Sequence, residues 1–210
     1  MAERALADYK LIYFDIPGGR GEPLRIALHA AGIDYRDERW EFPEFNQRRG
    51  DLRFRAVPVL LIDGEMVTQS NAIGRYVAKQ AGLYPDDPLQ ALYCDEVCDA
   101  VEDLTHYVVQ TFGLKGDALR VAREQLVEIR LKTFLNGFDE LLRRGGGEFF
   151  AGGKLTIADL KMFVQISSLS SGNLEHVPPD LVEQIAPSLL LHQTRVIESD
   201  VVTAYRDAHV

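Results

Sequence analysis

The first eighty residues alternate between apolar runs and segments in which apolar positions recur at helical spacing. Residues 8–15 are rich in apolar and aromatic side chains and end at Pro17-Gly18-Gly19, which predicts a buried strand followed by a turn. Glu22-Pro23 then lie in the first turn of a segment with helical spacing that ends at Gly32. Residues 33–42 have the pattern of a second strand. The order β-α-β predicts a parallel pair joined by a right-handed crossover.

The following residues predict a hairpin and a helix. Residues 57–62 and 65–68 are strand-like and flank Asp63-Gly64, a two-residue turn that favours antiparallel pairing. Ser70 precedes apolar residues at helical spacing, so we expect it to cap the next helix. Residues 43–56 show no clear pattern. These elements predict a small mixed sheet with helices packed on it, and we place this α/β domain at residues 1–82.

The pattern becomes helical beyond Gly82. Tyr84-Pro85-Asp86-Asp87-Pro88 is rich in residues that interrupt regular structure, so we expect residues 83–88 to form a linker. No convincing strand pattern follows it. We therefore expect residues 89–210 to form a separate, all-α domain.

The second domain is predicted to begin with two long helices. Helical patterns cover residues 89–112 and 117–144, and Gly145-Gly146-Gly147 ends the second. Thr156 and Asp159 have the spacing of a capping box, with Asp in place of the usual Glu or Gln. They mark the start of a mostly buried helix, and shorter helices are expected after it.

The composition is that of an ordinary globular protein and argues against several classes of partner. Hydrophobic residues make up 46% of the 210 positions and charged residues 26%, so a folded core is expected. The formal net charge of -9 and the scattered Lys and Arg residues argue against nucleic acid or an anionic membrane as a partner. No segment approaches the ~20 apolar residues needed to span a bilayer.

The N-terminal residues and the two cysteines indicate in which cellular compartment the protein is expected. Residues 1–10 contain two acidic side chains and lack the long apolar core of a secretory signal. Cys94 and Cys98 are four positions apart in a helical pattern, which fits reduced thiols better than a disulfide framework. We interpret both as small core side chains and expect a cytoplasmic protein.

Tyr13 is the first residue of chemical interest. A tyrosine near the end of a strand usually belongs to the core, and Tyr13 taken alone would be interpreted in that way. A thioredoxin-like mixed sheet, however, places the end of its first strand beside the start of its first helix. Backbone N–H groups at that position favour negative charge. The Tyr13 hydroxyl would then donate a hydrogen bond to an anion.

Two residue pairs at the ends of later elements also have two interpretations. Val57-Pro58 opens the third predicted strand, where a proline is ordinary, and the sequence leaves the isomer of this peptide bond open. Gln69-Ser70 lies at a helix start, where capping is the simple explanation. The free amides and the hydroxyl there would also bind a carboxylate.

An acidic cluster lies on the helix predicted from residue 89. Its members fall at helical spacings: Asp95, Asp99, Glu102, Asp103 and His106. The Asp103–His106 spacing also occurs in dimetal helical bundles. Because no second pair of this kind appears elsewhere, we favour an acidic surface facing solvent or a cleft and predict no metal site.

Six short motifs together resemble the cytosolic glutathione transferases, in order and spacing, over essentially the whole chain. They are Tyr13-Phe14, Gly19-Arg20-Gly21-Glu22-Pro23, Val57-Pro58, Asp63-Gly64, Gln69-Ser70 and Thr156-Ile157-Ala158-Asp159. No single motif is specific, but their joint occurrence in order is. The tyrosine at this position, the Gln-Ser pair and the acidic helix are most similar to the sigma-type branch, which includes glutathione-dependent prostaglandin isomerases.

The resemblance implies a thioredoxin-like N-terminal domain that holds glutathione, an all-α C-terminal domain that supplies most of the electrophile site, and a homodimer. Glutathione is then a co-substrate, and no resident cofactor is expected. Tyr13 would be the catalytic hydroxyl and Arg20 the active-site arginine. The residues matched to glutathione-binding positions of the family are Tyr13, Phe45, Arg49, Val57, Pro58, Gln69, Ser70 and Asp103.

Two groups of these residues would hold the glycine and cysteine parts of glutathione. Phe45 and Arg49 fall where the family has an aromatic and a basic residue near the glycine end, and the aromatic is often a tryptophan. The backbone of Val57, ahead of a cis Pro58, would pair with the cysteinyl part in a strand-like way.

The remaining positions would hold the γ-glutamyl part. Gln69 and Ser70 would take its carboxylate, and Asp103 of the partner subunit would reach its amine. One departure from the family concerns the loop before Arg20, where residues 15–19 make the segment one residue longer than the commonest tyrosine-type pattern.

The second substrate is the least constrained part of the prediction. Ile16, His106, Tyr107 and Phe112 are candidates to line an electrophile pocket. The expected activity is transfer of the glutathione thiolate to small hydrophobic electrophiles, with peroxides as a further class of acceptor. The alternatives are a glutathione-dependent isomerase of the prostaglandin or maleyl-acid type and a non-catalytic glutathione-binding relative.

Overall fold

The structure, a computed structural model, describes residues 7–209. The chain divides into two compact units, of which the first ends at Gly82 and the second begins at Leu83.

The first unit is built on a four-stranded sheet in the order β2-β1-β3-β4. Strand β1 (Tyr9–Phe14) pairs in parallel with β2 (Tyr35–Trp40) and antiparallel with β3 (Val59–Ile62). Strand β4 (Glu65–Thr68) pairs antiparallel with β3. The predicted parallel pair, the hairpin and the mixed sheet are therefore confirmed.

Helices accompany this sheet in the described part of the first unit. They are α1 (Glu22–Ala30), α2 (Phe42–Arg48), a short 3-10 helix (Arg49–Asp51) and α3 (Ser70–Gln80). The sequence pattern missed α2 and the 3-10 helix, since neither is long enough to show a clear periodicity. The expectation that Ser70 caps α3 is wrong by one residue, because Ser70 is already helical and Gln69 occupies the N-cap position without a side-chain capping bond.

A buried cluster fixes the strand ends on one face of the sheet. It consists of Ile12, Trp40, Leu52 and Val59, and Phe45 and Val57 pack against it. Three strands and the loop before β3 thus meet in one apolar contact, which sets the positions of the residues that follow β1 and β2.

Glu38 of β2 joins several positive or N–H groups on the same unit. Its carboxylate lies 2.9 Å from the Lys10 ammonium and 2.8 Å from an Arg48 guanidinium nitrogen, and it accepts the Trp40 indole N–H at 2.8 Å. Led by the Lys10 contact, these groups lower the pKa of Glu38 from 4.5 to about 2. The ionised form is therefore favoured by folding.

The stability that Glu38 contributes should disappear in acid. A carboxyl with a lowered pKa stabilises the fold above its unfolded value of 4.5, and this contribution is lost as the pH falls toward about 2. We expect Glu38→Gln to lower the thermal midpoint near neutral pH and to reduce its dependence on pH below about 4.5, measured by circular dichroism. Glu65→Gln, at an exposed position on β4, is the control. Parallel pH curves for Glu38→Gln and the wild type would contradict the assignment.

The regular structure of residues 83–209 is helical. After α4 (Pro88–Val109) come α5 (Gly116–Gln125), a π-helical segment (Leu126–Leu131), α6 (Lys132–Arg144), α7 (Ile157–Ser170), α8 (Leu181–Ile185), α9 (Pro187–Ile197) and α10 (Asp200–Ala208). The predicted all-α domain is confirmed. The pattern over residues 117–144 is one helical run interrupted by the π segment, which the periodicity did not reveal.

The predicted capping box at the start of α7 is present, and it extends into a buried network. One Asp159 oxygen accepts the Thr156 backbone N–H at 2.7 Å and its hydroxyl at 2.6 Å. The other accepts the Phe150 backbone N–H at 3.0 Å and lies 2.9 Å from His192 Nε2. Both Asp159 and His192 are fully buried. The network therefore ties α9 and the loop before α7 to the first turn of α7.

The two cysteines lie on the buried side of α4, as predicted. Cys94 and Cys98 are free thiols, 0% and 4% exposed. The hydrogen bond with Cys94, together with burial, raises the pKa of Cys98 well above its usual value. This thiol is therefore held neutral, as expected of a small core side chain.

Two further features bear on the classes of function. None of the helices in residues 7–209 is long and apolar enough to cross a membrane. In the same described residues, no group of three or more His, Cys, Asp and Glu side chains is arranged to hold a metal ion, and this includes the acidic residues of α4.

Candidate functional site

The sheet topology brings the predicted residues of the first unit to one edge. Ile12 pairs with Val59, and Val59 pairs with Thr68. One residue beyond these pairs lie Tyr13 at the end of β1, Pro58 before β3 and Gln69 after β4. Because neighbouring antiparallel strands run in opposite directions, these three positions share the same end of the sheet.

The end of β2 reaches the same edge. Phe14 pairs with Trp40, and the Asp15 backbone N–H donates to the Trp40 carbonyl at 3.0 Å. Helix α2, which carries Phe42 and Phe45, begins two residues after β2. The edge therefore gathers four chain segments: the β1–α1 loop, α2, the start of β3 and the β4–α3 junction.

Tyr13 is held in a close-fitting loop. Its side chain is 4% exposed, and its hydroxyl accepts a hydrogen bond from the Arg20 backbone N–H at 2.9 Å. A side chain on Gly19 would approach the hydroxyl to 2.6 Å, and one on Gly21 would approach ring atom Cδ1 to 2.4 Å. Glycine at both positions is what lets the backbone lie this close to the ring and its hydroxyl.

The loop contact also affects the chemistry of the hydroxyl. A phenol oxygen can accept one hydrogen bond while its own proton is donated elsewhere. Accepting the Arg20 N–H polarises the O–H group and makes it a stronger donor. The Arg20 side chain itself is half-buried in the same loop.

Arg25 is a component of this region that the sequence patterns missed. Its side chain on α1 is fully buried, and its guanidinium carbon lies 5.8 Å from the centre of the Tyr13 ring. Two carboxylates pair with it, Asp37 at 3.0 Å and Glu22 at 3.3 Å. The sequence did contain one indication of this: Arg25 is three positions before Leu28, so helical spacing places it on the buried side of α1.

The two aromatic residues of α2 differ in exposure, since Phe45 is packed against other side chains and Phe42 is largely exposed. Phe45 packs on the buried cluster at the strand ends, and its ring lies edge-on to Phe14 at 5.0 Å. Phe42 also contacts Phe14, at 4.8 Å, but is 57% exposed. The guanidinium of Arg49, an exposed residue, lies 6.0 Å from the Phe45 ring. Phe42, which the sequence interpretation passed over, therefore presents the more open aromatic surface.

The remaining positions of the edge combine unusual backbone with polar groups. The Val57-Pro58 peptide bond is cis, the isomer that the resemblance implied. Gln69 is exposed and has a φ of 76°, a left-handed conformation that is rare for a residue with a side chain. Such conformations cluster at ligand-binding positions. Ser70 is 8% exposed at the first position of α3, where backbone N–H groups favour an anion.

Three of the candidates in the second unit lie on one helix, and the rings of His106 and Tyr107 are 6.4 Å apart. Asp103 and His106 are exposed on α4, and His106 Nε2 lies 2.9 Å from the side-chain amide of Gln110. Tyr107 is half-buried and packs on Phe134 of α6, at 6.0 Å.

Phe112 and Ile16 lie in loops of different units. Phe112 is 56% exposed after the end of α4, with the Arg123 guanidinium 5.7 Å from its ring. Ile16 is half-buried in the β1–α1 loop of the first unit. Phe112 therefore presents an exposed phenyl ring.

Comparison with known proteins gives matches over both units. Residues 9–79 match the family model of the glutathione S-transferase N-terminal domain, and residues 102–209 match that of the C-terminal domain. Glutathione S-transferase 1 of Ascaris suum is 32% identical over 171 residues, which cover 79% of this chain and 82% of that protein.

Solved structures are similar over nearly the full length. The structure of prostaglandin synthase D of Nilaparvata lugens aligns with a TM-score of 0.83 at 25% identity, covering 97% of this chain and 98% of that one. The sigma class glutathione transferase of Fasciola hepatica aligns with a TM-score of 0.81 at 25% identity, covering 97% of each chain.

Proposed function

Because this chain belongs to the glutathione S-transferase family, we propose that it binds glutathione at the sheet edge around Tyr13 and transfers the thiolate to small hydrophobic electrophiles. The observation that carries this proposal is the hydrogen bond from the Arg20 backbone N–H to the Tyr13 hydroxyl, which polarises the O–H group. The loop can lie this close to Tyr13 because Gly19 and Gly21 have no side chains. The likeness to a sigma class glutathione transferase supports the proposed activity.

The catalytic task is to keep the thiol of glutathione ionised. A cysteine thiol has a pKa of about 8.5 in water, so only a few per cent is thiolate at neutral pH. A hydrogen bond from the Tyr13 O–H to the sulfur stabilises the anion and lowers the pKa of the thiol. The thiolate then attacks an electrophilic carbon, a carbon–sulfur bond forms, and the leaving group departs with its electron pair.

The edge residues supply contacts for the rest of the peptide. We assign the glycine end to Arg49 and the aromatic surface of α2, where exposure favours Phe42 over Phe45. The γ-glutamyl carboxylate is assigned to Ser70 and the backbone at Gln69, at the start of α3. The cysteinyl backbone would pair with Val57.

The family supports two further parts of the proposal. The protein acts as a homodimer, in which Asp103 of the partner subunit reaches the γ-glutamyl amine. The helical unit provides the pocket for the electrophile, and the exposed ring of Phe112 is a candidate to line it. The two free thiols of α4 support a reducing, cytoplasmic compartment.

A second activity is favoured by one of the structural neighbours. The similarity to prostaglandin synthase D supports a glutathione-dependent isomerase, in which glutathione is regenerated in each turnover. Conjugation and isomerisation use the same activated thiolate and differ in the fate of the carbon–sulfur bond.

The test is to incubate the purified protein with glutathione and an activated aryl chloride, and in parallel with a prostaglandin endoperoxide. A glutathione adduct with release of chloride supports the transferase, whereas a rearranged product without consumption of glutathione supports the isomerase. Saturable glutathione binding with neither product would contradict both activities and indicate a non-catalytic binding protein.

The loop geometry yields a mutational prediction. Gly21 has a φ of -79°, so alanine suits its backbone, yet the added methyl carbon would lie 2.4 Å from the Tyr13 ring. We expect Gly21→Ala to displace the ring and to lower kcat/KM for conjugation about tenfold. Gly137→Ala adds the same methyl group on α6, where nothing lies within 4 Å, and should leave kcat/KM unchanged. Equal rates for both variants would show that the loop does not position Tyr13.

A further inference from the structure

Arg25 is an ionised side chain placed fully inside the first unit. Its relative exposure is 0%, and it is the largest side chain of the described residues to be so enclosed. Burying a charge is unfavourable unless partners replace the lost water. A methionine or leucine would fill much of the same space on α1 without that penalty, so a guanidinium here calls for an explanation in terms of what it contacts.

The contacts of Arg25 connect the segments that surround Tyr13. Its Nε donates to both carboxylate oxygens of Asp37 on β2, at 3.0 and 3.3 Å. One terminal nitrogen donates to Glu22 in the first turn of α1, at 3.3 Å, and the other lies 3.5 Å from the Phe14 carbonyl oxygen. A single planar group thus links β2, the start of α1 and the residue that follows Tyr13.

The same guanidinium also touches Tyr13 itself. It lies over the phenol ring, 5.8 Å from the centroid, within the range of a cation–π contact. The backbone of Gly21 lies against the ring as well, close enough that an added methyl carbon would overlap Cδ1. The ring is thereby held by a loop backbone and by a buried cation, while its hydroxyl is held by the Arg20 N–H.

We propose that Arg25 is a positioning residue for the proposed reaction, holding the Tyr13 ring so that its hydroxyl meets the glutathione sulfur. The inference rests on the proposed role of Tyr13. Asp37 and Glu22 offset most of the charge of Arg25, so it acts through geometry rather than through its field. Lysine would retain the charge but not the planar fork of N–H donors.

A double-mutant cycle tests this coupling in the full-length protein. Arg25→Lys should lower kcat for conjugation about tenfold, with KM for glutathione changed less than twofold, because the loss is one of alignment and not of binding. Combined with Tyr13→Phe, the same substitution should have an effect of less than twofold, since the group that it positions is already absent. Ultraviolet titration of bound thiolate should show ionisation at higher pH in Arg25→Lys.

Two further variants keep the test decisive if Arg25→Lys folds poorly. Asp37→Asn removes the main anchor of the guanidinium, while Asp37 itself is partly exposed and also contacts Arg39, so this change should be tolerated and should lower kcat in the same direction. Arg36→Met, on the same strand, removes an exposed arginine paired with Asp8 and serves as the control.

The outcomes separate this inference from the proposed function. Full activity in Arg25→Lys and Asp37→Asn, or equal losses with and without Tyr13→Phe, would overturn the positioning role while leaving the transferase intact. A wild-type protein that binds glutathione without ionising its thiol would overturn the proposed function itself.

Discussion

Replacing Tyr13 by phenylalanine should abolish most of the conjugating activity at neutral pH while leaving glutathione bound. A hydrogen bond to an ionised group contributes about 1.5–3 kcal/mol, which corresponds to roughly one to two units in the pKa of the bound thiol. We therefore expect Tyr13→Phe to lower kcat about 10- to 100-fold near pH 6.5 and to change KM for glutathione little.

The pH dependence of this loss identifies its cause. On the proposed mechanism, the Tyr13 hydroxyl stabilises the thiolate of bound glutathione, so kcat/KM of the wild type should reach its plateau at lower pH than that of Tyr13→Phe. The difference between the two proteins should shrink as the pH approaches the pKa of free glutathione. Conjugation of an activated aryl chloride, followed across this range, gives both curves.

A matched control exists on the same strand. Tyr9 begins β1, and its hydroxyl lies 3.0 Å from that of Tyr76, at the opposite end of the strand from the site. Tyr9→Phe removes the same atom and should leave the pH profile of conjugation unchanged. If Tyr13→Phe and Tyr9→Phe gave the same profile, the tyrosine-activated mechanism would have to be abandoned.

The sequence predicted the β-α-β unit and the hairpin, and the observed strand order then determines which residues meet at the edge of the sheet. Tyr13, Pro58 and Gln69 each lie one position beyond a paired strand residue, and they meet because β3 pairs with β1, a pairing that the sequence pattern did not predict. Their chemical roles needed more than pattern, since a strand-end tyrosine is usually core, and it was the accompanying motifs that distinguished Tyr13.

What the sequence missed depends on three-dimensional contact rather than on periodicity. The seven residues of α2 are too few for a helical repeat to show. Phe45 was chosen from the family resemblance, and the more exposed ring of Phe42 was missed. Arg25 on α1 was not singled out in the sequence, and its contacts with Asp37 on β2 and Glu22 on α1 explain how its charge is buried. The π segment within residues 117–144 shifts the helical phase without changing the apolar composition.

The pocket for the second substrate could be predicted least. His106, Tyr107 and Phe112 were chosen by their place near the end of one helix, but Tyr107 and Phe112 have different neighbours. Tyr107 packs on Phe134, whereas Phe112 lies beyond the helix and meets Arg123 from α5. Helical spacing predicts the face of the helix on which each side chain lies, but it does not predict which residues of other elements pack against that side chain.

In the helical unit, the largest loss of stability is expected when Asp159, the centre of a buried hydrogen-bond network, is replaced. Its two carboxylate oxygens accept hydrogen bonds from two backbone N–H groups and one hydroxyl and lie beside one imidazole nitrogen, and the residue is fully buried. Removing an acceptor of this kind leaves each donor unsatisfied in an apolar interior. The charge itself is compatible with burial only because these donors surround it.

We expect Asp159→Ala to lower the free energy of unfolding by about 3–5 kcal/mol, which corresponds to a drop in thermal midpoint on the order of 10 °C. Asp159→Asn should recover little of this, because its amide nitrogen would face groups that are themselves donors. The control is Asp117→Ala, which removes a carboxylate from the first turn of α5 that is 94% exposed and should change stability by less than about 1 kcal/mol. Thermal and urea unfolding of the three variants measure the difference. Equal midpoints for Asp159→Ala and Asp117→Ala would contradict this prediction. They would show that the buried network of Asp159 stabilises the fold no more than an exposed acidic residue in the first turn of a helix does.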